Sequence, residues 1–187
     1  MKLKDFDISF IGLKQGKHEF EYELGDAFFE YFGFSEFRNS KLTVLATLTK
    51  GSTMMELHLS GGGAVEVDCD ITNEPFELVL NPKLDLVIKF GAEFNDEDDE
   101  LLILPHGEYQ FNIAQYLYEM SVLSLPQKRT HPGIEDGTLK SPVLDKLEDL
   151  KPRVLAQETE EELIEEEDKK PSDPRWDALK NLLNNDH

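Results

Sequence analysis

Apolar residues recur at every second position up to about residue 110, then at helical spacing from Phe111 to Pro126. Phe6, Ile8 and Phe10 alternate with Asp5, Asp7 and Ser9, the mark of a half-buried strand. Phe20, Tyr22 and Leu24 alternate with Glu19, Glu21 and Glu23, and Gly12 to Lys17 reads as a turn, so the two runs predict a hairpin. Asp26 is placed to cap a short helix, AFFEYF, whose phenylalanines suit a core. Alternating runs follow at Leu42 to Leu48, Met55 to Leu59, Val65 to Cys69, Phe76 to Leu80 and Leu84 to Phe90. Gly51-Ser52 and Asn81-Pro82 read as turns between them. A glycine run cradles phosphate when a helix N-terminus follows. A strand follows Gly61-Gly62-Gly63, so a hairpin turn is expected there. Leu101 to Pro105 predicts a last buried strand.

The segment FNIAQYLYEMSVLSLP predicts a helix packed across the sheet, with Asn112 as its cap and Pro126 as its stop. Ile113, Tyr116, Leu117, Met120 and Leu123 or Ser124 form its buried face. Seven alternating runs and one such helix imply an α+β fold with a mostly antiparallel sheet, curled or partly closed. Three regions are expected: a β-rich domain over 1–132, an acidic linker with a short helix over 133–171, and a C-terminal helix over 172–187. Ser141-Pro142 starts the linker helix, which carries Val143, Leu144, Leu147 and Leu150 and ends at Pro152. Eight of the eleven residues from Glu158 to Asp168 are acidic, too little apolar surface to offset the entropy of ordering. Trp176, Leu179, Leu182 and Leu183 then lie at helical spacing behind a Ser172-Asp173-Pro174 cap. That helix is either a clip onto the core or an anchor for a partner's groove.

Charge changes the picture more than composition does. The formal net charge is −20, and residues 1–132 alone carry 23 acids against 11 bases. Broad contact with a nucleic-acid backbone, which needs Lys and Arg to displace counterions, is disfavoured; a basic partner is favoured. Six acids crowd the eight residues Glu93 to Glu100, which predicts a solvated loop. They could hold a hard cation, although the EF-hand spacing and glycine are missing. A single cysteine, Cys69, excludes an intramolecular disulfide. Its neighbours Asp68 and Asp70 argue against a lowered thiol pKa. The start carries charges where a signal peptide needs an apolar run, and no stretch is long and apolar enough to span a membrane. A cytoplasmic protein is expected. Histidines are scattered and the phosphate-loop, nucleophile-elbow and dinucleotide motifs are missing, so no enzyme, cofactor or metal site is expected.

Three stretches taken together resemble the YceD family of large ribosomal RNA subunit accumulation proteins, in the version found in Bacteroidetes-type bacteria. The first is VDCDITNEPFELVL, where Cys69, Pro75 and Phe76 match and Ile71 and Thr72 replace the family's arginine and second cysteine. The second is the helix, where Glu119, Leu123, Leu125 and Pro126 match. No cysteine follows in QKRTHP, so the relatives' second cysteine segment has no counterpart. The third is DPRWDALKNLL, where Asp173, Pro174, Arg175, Trp176, Leu179 and Leu183 match the closing helix.

The resemblance implies a non-catalytic, cytoplasmic factor needed for large-subunit ribosomal RNA to accumulate, in a family whose gene commonly neighbours that of a large-subunit ribosomal protein. With the charge, it makes a basic ribosomal protein or large-subunit assembly intermediate the expected partner, held through the closing helix. Two rivals stand. One is direct ribosomal RNA contact through Arg38, Lys128, Arg129 and Arg175; the other is a metal-dependent enzyme built on Asp96 to Glu100.

Overall fold

The alternating runs become strands in the computed structural model, which describes residues 2–151. A 3-10 turn (Leu3–Phe6) leads into β1 (Asp7–Ser9), β2 (Gly16–Leu24), α1 (Asp26–Tyr31), β3 (Arg38–Lys50) and β4 (Met54–Asp68). Then come β5 (Pro75–Leu80), β6 (Lys83–Gly91), β7 (Asn95–Asp98), β8 (Leu101–Pro105) and β9 (Gln110–Asn112). Helices α2 (Ala114–Leu123), α3 (Pro132–Glu135) and α4 (Pro142–Leu150) follow. The chain divides into two units, Met1–Leu144 and Asp145–His187, and all the strands lie in the first. The fold is α+β. Its main sheet runs β2-β3-β4-β6-β8-β7 and is open at both ends. Every pair in it is antiparallel except β6 with β8.

Register puts like faces together. Ala46 faces Leu59 and Leu48 faces Leu57, and all four are buried, as are Leu86 and Ile88 on β6 and Leu102 and Leu104 on β8. Alternate residues on β3 and β6 are mostly exposed, so one face of the sheet is covered. α1 and α2 cover it, joined by Phe32 and Tyr118 stacked at 4.5 Å.

Several partners differ from expectation. β1 pairs with β9, Ile8 opposite Phe111, and β2 pairs with β3. A period of two assigns faces, not neighbours, so the predicted hairpin had no further support. Two three-residue strands would not hold by themselves. Phe6, Ile8, Phe10 and Phe111 anchor them in the common core, and Lys50 Nζ donates to the carbonyls of Phe10 and Leu13 at 2.8 and 2.9 Å. Asp26 is the first helical residue and does not cap α1; its carboxylate accepts the Ser40 N–H at 2.7 Å, and the Ser40 hydroxyl first and this amide second hold it below the usual carboxylate range. That bond pins the bulge between Arg38 and Lys41.

The three glycines lie inside β4, not in a turn. β5 and β6 both run antiparallel to β4, along 63–68 and 54–60, so Asn81-Pro82 kinks one nearly continuous line of chain instead of reversing it. Gly61 sits opposite this kink, donating its N–H to the Pro82 carbonyl at 2.8 Å. A Cβ on Gly61 would meet Pro82 Cγ at 2.8 Å. Gly61 and Gly63 are needed for close packing; Gly62 is not.

The acidic run also departs from the expected loop: Asn95–Asp98 forms the edge strand β7, where both faces reach water and the carboxylates stay solvated. α2 buries Ile113, Ala114, Leu117, Met120 and Ser121, with Tyr116 half-buried, whereas Leu123 is 82% exposed. The Ser121 hydroxyl donates to the Leu117 carbonyl at 2.6 Å, which lets a small polar residue share the inner face; at helical spacing Leu123 lies off that face. Asn112 lies one residue before the cap position, and its side chain accepts the Ala114 N–H at 2.9 Å.

Candidate functional site

The loop between β4 and β5 clasps the chain that leaves α2. Cys69 N–H donates to Glu74 O at 2.9 Å and Asn73 N–H to Cys69 O at 2.8 Å, with Asn73 in the left-handed region at φ 58°. The segment 129–131 lies against this loop. Asp70 N–H donates to Arg129 O at 2.8 Å, Arg129 N–H returns to the Asp70 carboxylate at 2.6 Å, and His131 N–H reaches Cys69 Sγ at 3.3 Å. Phe76 is buried with its ring 5.5 Å from that of His131. Three of the resembling positions are thus accounted for by folding: Cys69 and Phe76 join the loop to the segment past α2, and Pro75 opens β5.

Cys69 corrects an expectation. Burial pushes its thiol up, yet the Thr72 hydroxyl and the backbone N–H groups of His131, Thr72 and Ile71 outweigh this and bring the pKa down to about 7. The neighbouring acids do not oppose them strongly, because Asp68 is bonded to Arg38 and Asp70 to Arg129. The thiol is 2% exposed, and the His131 Nδ1 accepts the Gly133 N–H at 2.9 Å.

Arg38 and Arg129 do converge, lining one cleft of about 500 Å³ beside Cys69. Neither guanidinium is free. Arg38 bridges Glu66, at 3.2 Å, and Asp68; Arg129 bridges Glu36 at 2.8 Å and Asp70 at 3.3 Å. The carboxylates raise both arginine pKa values, Asp68 contributing most at Arg38 and Glu36 most at Arg129. Three carboxylates, Glu36, Asp68 and Asp70, line the cleft against these two cations and leave it acidic. Lys128 is exposed and makes no ion pair among the described residues. Sequence reasoning missed Glu36 and Glu66, and took Asp68 and Asp70 only as neighbours of Cys69, not as partners of the arginines. Their one signal is that β4 and its loop place acids at 66, 68 and 70, all near the two arginines.

A second concavity, a trough of about 1160 Å³, lies between β7, the start of β6 and α2. Leu84, Leu102, Leu104, Phe111 and Met120 line it, and seven carboxylates against one lysine surround them. Asp85 is paired with His58. The other six (Asp96, Asp98, Asp99, Glu100, Glu108 and Glu119) have no cationic partner among the described residues. Glu119, exposed on α2, accepts a bond from Gln115 at 2.8 Å. The field registers on Tyr116, whose pKa is pushed up to about 12, by burial first and then by Asp96 and Glu119. Among the described residues, no group of three or more His, Cys, Asp or Glu side chains is arranged to hold a metal ion, and no helix is long and apolar enough to cross a membrane.

Pro126 is exposed just beyond α2. Asp173, Pro174, Arg175, Trp176, Leu179 and Leu183 lie outside the described residues. No curated protein and no solved structure matches the chain. A family model described as Large ribosomal RNA subunit accumulation protein YceD matches residues 57–183. The match starts inside β4 and takes in the Cys69 loop, the acidic strand, α2 and the DPRW segment. The chain therefore belongs to the YceD family, whose description ties it to the accumulation of large-subunit ribosomal RNA.

Proposed function

We propose that this protein supports large-subunit ribosomal RNA accumulation in the cytoplasm by binding, without catalysis, and that what it binds is a basic ribosomal protein or assembly partner. The carrying observation is the division of charge. Arg38 and Arg129 are each held between two carboxylates, while six acids around the trough have no cationic partner among the described residues. Backbone-driven RNA affinity needs cations to displace counterions, and among the described residues unpaired carboxylates outnumber unpaired lysines. A partner rich in Lys and Arg meets the opposite condition: complementary charge raises the encounter rate and weakens with salt. The DPRW segment, with Trp176, Leu179 and Leu183, would add an apolar anchor.

Gradient sedimentation of lysate from growing cells tests this. The tagged chain should travel with large-subunit precursors at low salt and leave them at high salt together with a basic protein. Sedimentation only as free protein at every salt would refute it. A second reading has one observation in its favour, the convergence of Arg38 and Arg129 in one cleft, with Lys128 next to Arg129 in the chain. If RNA is contacted directly, Lys128→Glu should weaken a gel shift with naked ribosomal RNA. Arg129→Glu is a poor test, since it would set a third carboxylate against Glu36 and Asp70 and disturb the loop.

A further inference from the structure

We propose that the trough between β7, the start of β6 and α2 is a docking groove for a Lys/Arg-rich peptide segment carrying apolar side chains, a basic extension of a partner protein. This rests on the reading above that the partner is a basic protein, and adds where and how it is held. The groove's size is the first argument: about 1160 Å³ is above the usual range of a small-molecule site, roughly 300–1,000 Å³. The lining is the second. Carboxylates alone would suit a hydrated cation, but the half-buried Leu84 and Tyr116 lie among them over a floor of buried core residues, and apolar surface that is still exposed rewards apolar contact. Phe94 and Leu123, also in the lining, are 57% and 82% exposed, so large apolar side chains lie uncovered at the groove.

Charge then selects among occupants. Asp96, Asp98, Asp99 and Glu100 repel one another across β7 and its turn, and a ligand bearing several cations relieves that repulsion. A nucleic acid carries the same sign as the rim. The chain's own residues 152–187 carry eleven acids against five bases, so their net charge also has the rim's sign. A basic segment with apolar residues between its cations satisfies both the rim and the floor.

The test uses the full chain and a short, fluorescein-labelled, tryptophan-free peptide of alternating Lys/Arg and Leu, read by fluorescence anisotropy. Leu123→Asp changes an exposed position. Asp96→Lys with Asp99→Lys changes two exposed acids that accept no side-chain hydrogen bond among the described residues. Glu19→Lys with Glu21→Lys, on β2, makes the same change in net charge far from the groove. Each groove variant should weaken the peptide by about tenfold or more, and the β2 pair by far less. The same peptide with glycine in place of leucine should bind more weakly to the parent.

Equal losses from the groove and β2 pairs, or none from either groove variant, would overturn the assignment. So would a ribosomal RNA fragment that binds the parent and is lost with Leu123→Asp. The chain's single tryptophan, Trp176, lies in the tail. If Leu123→Asp shifted its emission with no peptide present, the groove's occupant would be the tail, and the proposal would fall. Recovery of a basic partner from cells by the groove variants as well as by the parent would sink the groove and leave the broader reading standing. No protein partner with any form of the chain would sink both.

Discussion

Gly63→Ala should be among the most damaging single-methyl additions in the protein, and Gly62→Ala, one residue away, nearly silent. A Cβ on Gly63 would lie 2.0 Å from the Lys41 carbonyl oxygen and 2.9 Å from Leu42 Cα, both backbone atoms of the neighbouring strand. Ordinary contact begins near 3.4 Å, so β3 and β4 would have to part by roughly 1 Å or more at the Leu42–Gly63 pair. Gly63 also has φ +156°, which L side chains rarely adopt. Overpacking and backbone strain together put the cost at about 3–5 kcal/mol. That is a large share of the roughly 5–15 kcal/mol that holds a domain together. A Cβ on Gly62 meets only Asn81 Oδ1, at 3.7 Å, so Gly62→Ala should change stability by less than about 1 kcal/mol, in the stabilising direction. Urea unfolding followed by far-ultraviolet circular dichroism reads both. The melting temperature of Gly63→Ala should fall by roughly 8–15 °C. If Gly63→Ala and Gly62→Ala both melt with the parent, the glycines are not where the strands press together and the packing argument is wrong.

Other predictions concern the loop and the core. The Cys69 thiol titrates near 7 in the folded chain against an ordinary 9.0, so its contribution to stability is complete above about 9 and disappears as the pH falls through 7. Urea midpoints should therefore rise across that window in the parent, and the rise should be missing in Cys69→Ala. Arg129→Ala removes the bridge to Glu36 and Asp70 and should cost about 1–2 kcal/mol by denaturant unfolding, the exposure of both partners keeping it low. Arg129→Lys should recover only part of that, since an ammonium cannot span both carboxylates as a guanidinium does. Phe29→Ala empties a site 1% exposed, edge-on to Phe28 and Phe37, and should lower stability by about 3–5 kcal/mol in the same assay.

Faces were easier to read in this sequence than neighbours. Alternation identified the buried sides of β2, β3, β4 and β6, because burial on one face imposes a period of two wherever a strand pairs. It could not say that β1 belongs with β9, about a hundred residues on, since that pairing depends on where Phe6, Ile8 and Phe10 find the common core. The glycine run and Asn81-Pro82 each looked like a turn because local signals report what a backbone tolerates. Their juxtaposition across β4, which makes both extended, is a tertiary fact. The sites divide in the same way. Cys69, Phe76, Arg129 and Glu119 were singled out from sequence, yet the carboxylates that hold the arginines come from residues 36, 66, 68 and 70 and meet only on folding. The trough was half visible, in the acidic run of β7. Its apolar floor comes from β6, β8, β9 and α2, and was not.

The central claim, that a basic protein and not RNA is the direct partner, is tested most directly by capture of the tagged full chain from growing cells with and without nuclease. A basic large-subunit protein should stay bound after the RNA is digested and come off as salt is raised. Naked ribosomal RNA bound by the purified chain, with every protein lost on nuclease treatment, would contradict it.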